Sequence, residues 1–206
     1  RTADRVRLAR LRTCYSRFMS QPVPAKKPAT YEDLLRAPEH LVAEILGGEL
    51  FTTPRPSAAH AHTAALLNGA LTPPFDRGRG GPGGWIILSE PELHLQADVL
   101  VPDLAGWRRE RLPSVPDVPF LTLPPDWICE ILSPSTARTD RLHKLPIYSR
   151  ESIAHVWLID PVQRTLEALR LERGPWTLVA SHGGQEDLVV VEPFKAIPLE
   201  LSGIWP

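Results

Sequence analysis

Short apolar segments, separated by turn-forming residues, recur along the chain and predict an α/β (α+β) domain rich in sheet. The clearest is residues 126–132, an apolar run between two proline-containing turns, which is typical of a strand buried on both faces. We expect 85–88, 92–95 and 98–101 to be successive strands of one sheet. Other predicted strands are 41–46, 49–53, 154–160, 165–171 and 176–181, of which the last two form a hairpin with one wet face.

Capping residues predict where three helices begin. Residues 30–33 have the spacing of a capping box and open a short helix. Ser57 can cap a helix over 58–71. We expect Thr136 to cap a third helix, which follows the strand 126–132 and carries Lys144 on its third turn.

Isolated acidic residues interrupt the apolar segments at Glu44, Asp103 and Glu130. An ionised carboxylate in an apolar strand is costly unless a cation, a proton or a set of donors compensates it, so we expect a positive partner. Lys144 could fold back over the strand end that carries Glu130. Asp98 and Asp103 point to opposite faces of a regular strand, and we choose Asp103 for the site. Glu44 could instead face water or pair with an arginine.

Two strands that each present a carboxylate can together bind a hard divalent cation such as Mg²⁺, which prefers oxygen ligands. The chain resembles the PD-(D/E)xK nuclease superfamily, which has the restriction-endonuclease-like fold. The resemblance lies in the order of Pro102-Asp103, Glu130 and a following lysine. In that superfamily the lysine usually lies two residues after the acid, where this chain has Leu132. Lys144, on the following helix, fits the role of a migrated lysine.

More closely, the chain resembles the bacterial Uma-type family of restriction-endonuclease-like proteins over residues 29–200. The matching motifs lie at 44–50, 100–103, 130–136 and 140–144. The resemblance implies a mixed central sheet flanked by helices, with a C-terminal β-hairpin extension. It also implies a metal-dependent endonuclease that hydrolyses phosphodiester bonds, with nucleic acid, in the first place DNA, as its partner.

The resemblance assigns a role to each residue of the site. Asp103 and Glu130 hold Mg²⁺ or Mn²⁺, with the carbonyl of Ile131 as a further ligand, and Glu44 completes the site or binds a second ion. The metal acidifies a bound water and neutralises charge on the phosphoryl group. Lys144 positions the attacking water or stabilises the pentacovalent state, whereas Tyr148, one turn beyond it, is interpreted as a packing group.

Three other interpretations stay open. Leu132 in place of the usual lysine, together with the acidic charge of the chain, suits a catalytically degenerate module that binds nucleic acid or protein without cutting. Glu130 and Glu44 could act as a carboxylic acid pair, as in glycosidases, which leaves Lys144 without a role. A buried ion pair of Glu130 with Lys144 would be purely structural, but it does not account for Asp103.

Three groups of residues are candidates for contact with a nucleic acid. The basic cluster of Arg108, Arg109 and Arg111 is the best candidate for phosphate contact in the body of the chain. His60, in the first turn of its helix, could orient a phosphate or the attacking water. The loop 76–84 holds two arginines among five glycines, and we interpret it as a flexible, solvated linker that could touch a DNA backbone.

Charge is unevenly divided, because residues 1–18 carry +5 and residues 19–206 carry −6. An acidic body is a poor electrostatic match for a polyanion, which weighs against tight, stand-alone DNA binding. We expect residues 1–28 to be a disordered extension of one nuclease domain, 29–206. Met19 is the only methionine and our candidate for the natural start. A nucleic-acid arm or a targeting helix are the alternatives for the basic segment.

Cys14 falls on the basic tail and Cys129 in a core strand, which argues against a disulfide framework and favours a cytoplasmic location. No apolar run reaches the length of a membrane span, so no membrane association is expected. The exposed edge of the hairpin 165–181 could pair with a second copy, which leaves a homodimer as an open prediction.

Overall fold

A computed structural model describes residues 27–183 and 187–206 of the chain. Twelve strands are formed in this part of the chain. In chain order they are β1 (Leu41–Leu46), β2 (Glu49–Pro54), β3 (Trp85–Ser89), β4 (Leu93–Leu95), β5 (Asp98–Leu100), β6 (Leu104–Arg108), β7 (Trp127–Ile131), β8 (His155–Asp160), β9 (Thr165–Leu171), β10 (Trp176–Gly183), β11 (Leu188–Val189) and β12 (Leu199–Glu200).

The helices are fewer than the strands, and only the second of them is long. They are α1 (Tyr31–Leu35), α2 (Ala58–Leu71), α3 (Ala137–Thr139) and α4 (Leu145–Arg150). A π-helical turn, Thr72–Asp76, follows α2, and a second one, Asp140–Lys144, joins α3 to α4 into one continuous helical segment. The predicted capping box is confirmed at α1, where Thr30 accepts from the amide of Asp33 and Asp33 bonds back to Thr30.

A six-stranded mixed sheet in the order β10-β9-β8-β7-β6-β3 is the centre of the fold. Its strands β7 and β8 are parallel, and its other neighbours are antiparallel. A second sheet has the order β2-β1-β5-β4, and its first hairpin turns at Gly47 and Gly48, both with positive φ, as a two-residue turn requires. The predicted mixed central sheet with helices at its faces, including a C-terminal hairpin, is confirmed.

The central sheet separates two apolar cores. On one face α2 and the C-terminal segment cover residues such as Trp127 and Ile131. On the other face the four-stranded sheet and α4 cover Ile128, Leu132 and their neighbours. Because side chains alternate along a strand, Glu130 points to this second face, between the central sheet and α4.

Two local predictions are wrong. The segments 85–88, 92–95 and 98–101 do not share a sheet, because β3 pairs with β6 while β4 and β5 pair with each other in the second sheet. A chain of short apolar strands does not specify which of them pair. Thr136 does not cap α3, since its hydroxyl accepts from the amide of Ser133 instead and stabilises the turn before the helix.

Within residues 27–183 and 187–206, none of the helices has the length and apolar character needed to cross a bilayer. Cys129 lies buried in β7 as a free thiol, and Cys14 lies outside the described residues. The extension expected over 1–28 also lies outside them, apart from its last two residues.

Candidate active site

Lys144 is the centre of a buried charged cluster at the C-terminal end of β7. Its ammonium lies 3.0 Å from Glu44 Oε1, 3.3 Å from Glu130 Oε1 and 3.4 Å from Asp140 Oδ1. All four side chains are between 2 and 5 % exposed. Three carboxylates therefore share one cation in an environment that screens charge poorly.

The helical segment after β7 supplies one face of this cluster. Asp140, Lys144 and Tyr148 are spaced by four residues, which places them on the same side of a helix. Tyr148 is buried and its hydroxyl donates a short hydrogen bond to Glu130 Oε1. Tyr148 is thus more than the packing group expected from the sequence. Asp140, which begins the matching motif 140–144 but was assigned no role in the site, is a further member of the cluster.

The protonation equilibria reflect a shortage of positive charge. Burial raises the pKa of Glu130 well above its usual range, and although Lys144 opposes this, the neighbouring acids raise it further. Burial likewise raises the pKa of Asp140 against the opposing effect of Lys144. For Lys144 burial favours the neutral amine, but the carboxylates outweigh it and its pKa is raised well above normal. Lys144 therefore stays charged, and its single positive charge is shared by the three carboxylates around it.

Glu44 reaches the cluster from the second sheet. It lies in β1, and its Oε1 accepts a hydrogen bond from the amide of Val101 at 2.8 Å besides contacting Lys144. This carboxylate neither faces water nor pairs with an arginine. It joins the second sheet to the segment that leads into Asp103.

Asp103 precedes β6 and faces the end of β7, next to this cluster. Its Oδ2 accepts from the amide of Ile131 at 2.7 Å, and its Oδ1 lies 3.3 Å from His60 Nε2. Burial disfavours the imidazolium, but the hydrogen bond and charge of Asp103, with the carbonyl of Ile131, outweigh it and raise the pKa of His60. Asp98 is separate: it accepts from Gly47 N at 2.6 Å and pairs with Arg150 at 2.5 Å.

These residues meet at the floor of a cleft of about 960 Å³. One wall is apolar and includes Leu34, Leu35 and Pro38 of the α1 region. Acidic side chains outnumber the two cationic ones, Arg55 and Lys144, and the acids are Glu39, Glu44, Glu90, Glu92, Asp103, Glu130 and Asp140. The cleft is therefore electronegative and large enough for a substrate of small-molecule or nucleotide size.

The predicted basic cluster lies elsewhere. It is at the C-terminal end of β6, five residues from Asp103 and therefore about 16 Å away. Arg108 stacks over the ring of Trp85 at 4.2 Å, and Arg109 and Arg111 bind Asp76 and Asp126 at 2.6 and 2.8 Å. The structure brings Glu44, His60, Asp103, Glu130, Ile131 and Lys144 together, and it does not bring the three arginines to them.

Comparison with known proteins matches this arrangement to a family. The family model Uma2, described as "Putative restriction endonuclease", matches residues 28–202. The chain belongs to the Uma2 family. No curated protein matches it.

Among solved structures, this Uma2 chain is similar to one from Anabaena variabilis described as a "putative nuclease belonging to DUF820". The two share 22 % identity over 86 % of this chain and 98 % of the other, with a TM-score of 0.63. At this identity the likeness establishes the fold, and the activity has to be argued from the site.

The donor set of the Uma2 site suits a divalent cation in chemistry and in charge. Glu44, Asp103 and Glu130 offer hard oxygen donors, and the raised pKa of Glu130 reflects negative charge that Lys144 alone does not balance. In the part of the chain that is described, no three His, Cys, Asp or Glu side chains are grouped as a metal centre. Lys144 lies between Glu44 and Glu130 instead, so a cation bound by both would have to take its place.

Proposed function

We propose that this Uma2 protein is a metal-dependent endonuclease that hydrolyses phosphodiester bonds, with DNA as its substrate. The observation that carries the proposal is the convergence of Glu44, Asp103, Glu130 and Lys144, from four separate segments, at the floor of one cleft. Acids that the fold buries at a cost are expected where chemistry requires them. The family to which the chain belongs supports the reaction class.

Each residue has a defined task in this proposal. Asp103 and Glu130, with the carbonyl of Ile131, would hold Mg²⁺ or Mn²⁺, and Glu44 would complete the site. A bound metal supplies an acidified water and neutralises charge on the phosphoryl group. Lys144 is charged because its carboxylate neighbours raise its pKa. Its ammonium, displaced by the metal from between Glu44 and Glu130, would stabilise negative charge on the phosphate. His60 orients Asp103 through Nε2.

One observation favours a second candidate, a catalytically degenerate binding module on the same fold. The cluster is closed upon itself: Lys144 is held by three carboxylates, and Leu132 stands where the superfamily usually has its lysine. A cluster of this kind could serve structure alone. The interpretation of Glu44 and Glu130 as a glycosidase-like acid pair is disfavoured, because Lys144 lies between the two carboxylates.

Nicking of supercoiled plasmid in Mg²⁺ or Mn²⁺ separates these candidates. The wild-type protein is expected to nick, and Glu130→Gln and Asp103→Asn are expected to lose nicking while keeping their fold by circular dichroism. Glu110→Gln, a change of the same kind at an exposed position, serves as the matched control and should nick normally. Nicking that survives in both site variants contradicts the proposal. A wild type that binds DNA without cutting favours the degenerate module.

A further inference from the structure

A second cavity lies beside α2, outside the cleft. It is an open groove of about 490 Å³. Its polar lining consists of Asn68 near the end of α2, Thr72 at the start of the π-helical turn, Arg77 and Arg79 in the loop after that turn, and Ser89 at the end of β3. None of these residues was assigned a role at the site described above.

Arg77 and Arg79 differ from Arg109 and Arg111 of the basic cluster because their side chains are not held by any carboxylate that the structure describes and can bind a ligand. Both side chains are exposed, and among the described residues neither forms an ion pair. The nearby carboxylate of Asp76 is already engaged, since it binds Arg109 at 2.6 Å and accepts from Ile87 N at 3.1 Å. The groove therefore carries two positive charges without a neutralising partner.

The loop that presents these arginines is fixed to the π-helical turn before it. The amide of Arg77 donates to Thr72 O at 3.0 Å, that of Arg79 to Pro73 O at 2.7 Å, and that of Gly83 to Pro74 O at 2.8 Å. At Gly81 a Cβ would lie 2.5 Å from Pro74 Cβ, so only glycine allows this close approach. The loop is thus anchored, rather than a solvated linker, and holds both arginines on one side of the groove.

The floor of the groove is preorganised as well. Thr72 Oγ1 donates to Asn68 Oδ1 at 2.7 Å, and Asn68 Nδ2 donates to Ser89 Oγ at 2.9 Å. Because the Ser89 oxygen accepts in this chain, its own proton is free to be donated to a ligand. Two guanidinium groups and one hydroxyl donor are a suitable set for the oxygens of a phosphate diester.

The groove adjoins the cleft at Ser89 and Glu90. Ser89 lines the groove, Glu90 lines the cleft, and the amide of Glu90 donates to Asp103 O at 3.0 Å. A strand that passes over this junction would run from Asp103 to the two arginines. The acidic cleft does not itself attract a polyanion, so a neighbouring cationic groove would supply the attraction that the cleft lacks.

We propose that this groove binds a backbone phosphate of the nucleic acid whose scissile bond lies in the cleft. The inference rests on the proposed function for its substrate class, and it assigns Arg77, Arg79 and Ser89 as the phosphate contacts. It replaces the cluster of Arg108, Arg109 and Arg111 as the surface that positions the strand.

Binding of labelled oligonucleotides in EDTA tests the assignment without depending on hydrolysis. Single- and double-stranded DNA and RNA probes are titrated by fluorescence anisotropy between about 50 and 200 mM NaCl. The variant is the double change Arg77→Gln with Arg79→Gln. Its control is Arg164→Gln with Arg173→Gln, which removes the same charge from two exposed arginines that form no ion pair within the described residues.

The double variant is expected to bind the preferred probe about tenfold more weakly than the control. For duplex DNA the slope of log K against log salt should fall in magnitude by about 0.9, which is the contribution of the one phosphate contact that is lost. A variant that matches the control in affinity and slope overturns the assignment, while nicking by the wild type would leave the proposed function standing. A wild type that binds none of the probes overturns the assignment as well, and nicking in Mg²⁺ or Mn²⁺ then decides separately whether the proposed function stands.

Discussion

The two ends of the central sheet organise charge in opposite ways. At the C-terminal end of β7, Glu44, Glu130 and Asp140 share Lys144 in a buried cluster. At the other end, Asp126 accepts from the amide of Arg108 and pairs with the half-exposed Arg111. The C-terminal end of β7 has more buried acidic than basic side chains. At the other end each acidic side chain has its own basic partner. The difference indicates that chemistry belongs to the first end and that the second is an ordinary charged surface.

Loss of the shared cation should have the largest effect on stability. Lys144→Met keeps most of the side-chain volume and leaves three buried carboxylates without their partner, which should lower the free energy of unfolding by roughly 3–5 kcal/mol. Urea denaturation at neutral pH measures the change. The deficit should shrink as the pH falls, because the acids then become neutral. A loss below about 1 kcal/mol would show that Lys144 does not hold the cluster together.

Removal of the Tyr148 hydroxyl should have an intermediate effect. Tyr148→Phe deletes the hydrogen bond to Glu130 in a buried site, so we expect a loss of roughly 1.5–3 kcal/mol by the same measurement. The matched change Tyr31→Phe removes a hydroxyl that donates to Glu92 at 2.8 Å near the surface, and should cost less. Equal losses for the two variants would contradict the special position of Tyr148.

The pH dependence of stability should identify Glu130 as a carboxyl that the fold prefers to keep protonated. Its folded pKa is raised by burial, so the protonated form stabilises the fold at low pH and this contribution is lost as the pH rises through the folded value. Metal-free wild type should therefore lose stability relative to Glu130→Gln as the pH rises above about 4.3. Urea curves at several pH values measure the difference. A constant or opposite trend would contradict the raised pKa.

Disruption of a pair at the balanced end should have the smallest effect. Arg111→Gln breaks the ion pair with Asp126, which is partly exposed, and should change the free energy of unfolding by only about 0–1 kcal/mol. Thermal melts measured beside those of Lys144→Met make the contrast direct. A loss as large as that of Lys144→Met would remove the distinction between the two ends.

Most residues of the candidate site could be predicted from the sequence, because a charged residue within an apolar segment is easily recognised. Glu44, Asp103 and Glu130 are noticeable because each interrupts an apolar run, and Lys144 because it follows β7 on a helix. Asp140 and Tyr148 could have been found by the same helical spacing of four residues from Lys144. Asp140 was noted only as part of a matching motif, and Tyr148 was interpreted as a packing residue, so neither was assigned to the site.

The charged surface could not be predicted in the same way. Arg109 and Arg111 form a basic cluster in the sequence, but their partners include Asp76, which is distant along the chain and approaches only through the pairing of β3 with β6. Arg77 and Arg79 lie among glycines, which is also the pattern of a flexible linker. Only the backbone hydrogen bonds to the π-helical turn show that their loop is anchored.

The central claim is that the acid-rich end of the sheet binds a divalent cation, and isothermal titration tests it most directly. Mn²⁺ and Mg²⁺ are titrated into the wild type, Glu130→Gln, Asp103→Asn and the Glu110→Gln control. We predict saturable binding by the wild type and the control and loss of binding in both site variants. Absence of binding in the wild type, or equal binding in all four proteins, would contradict the account.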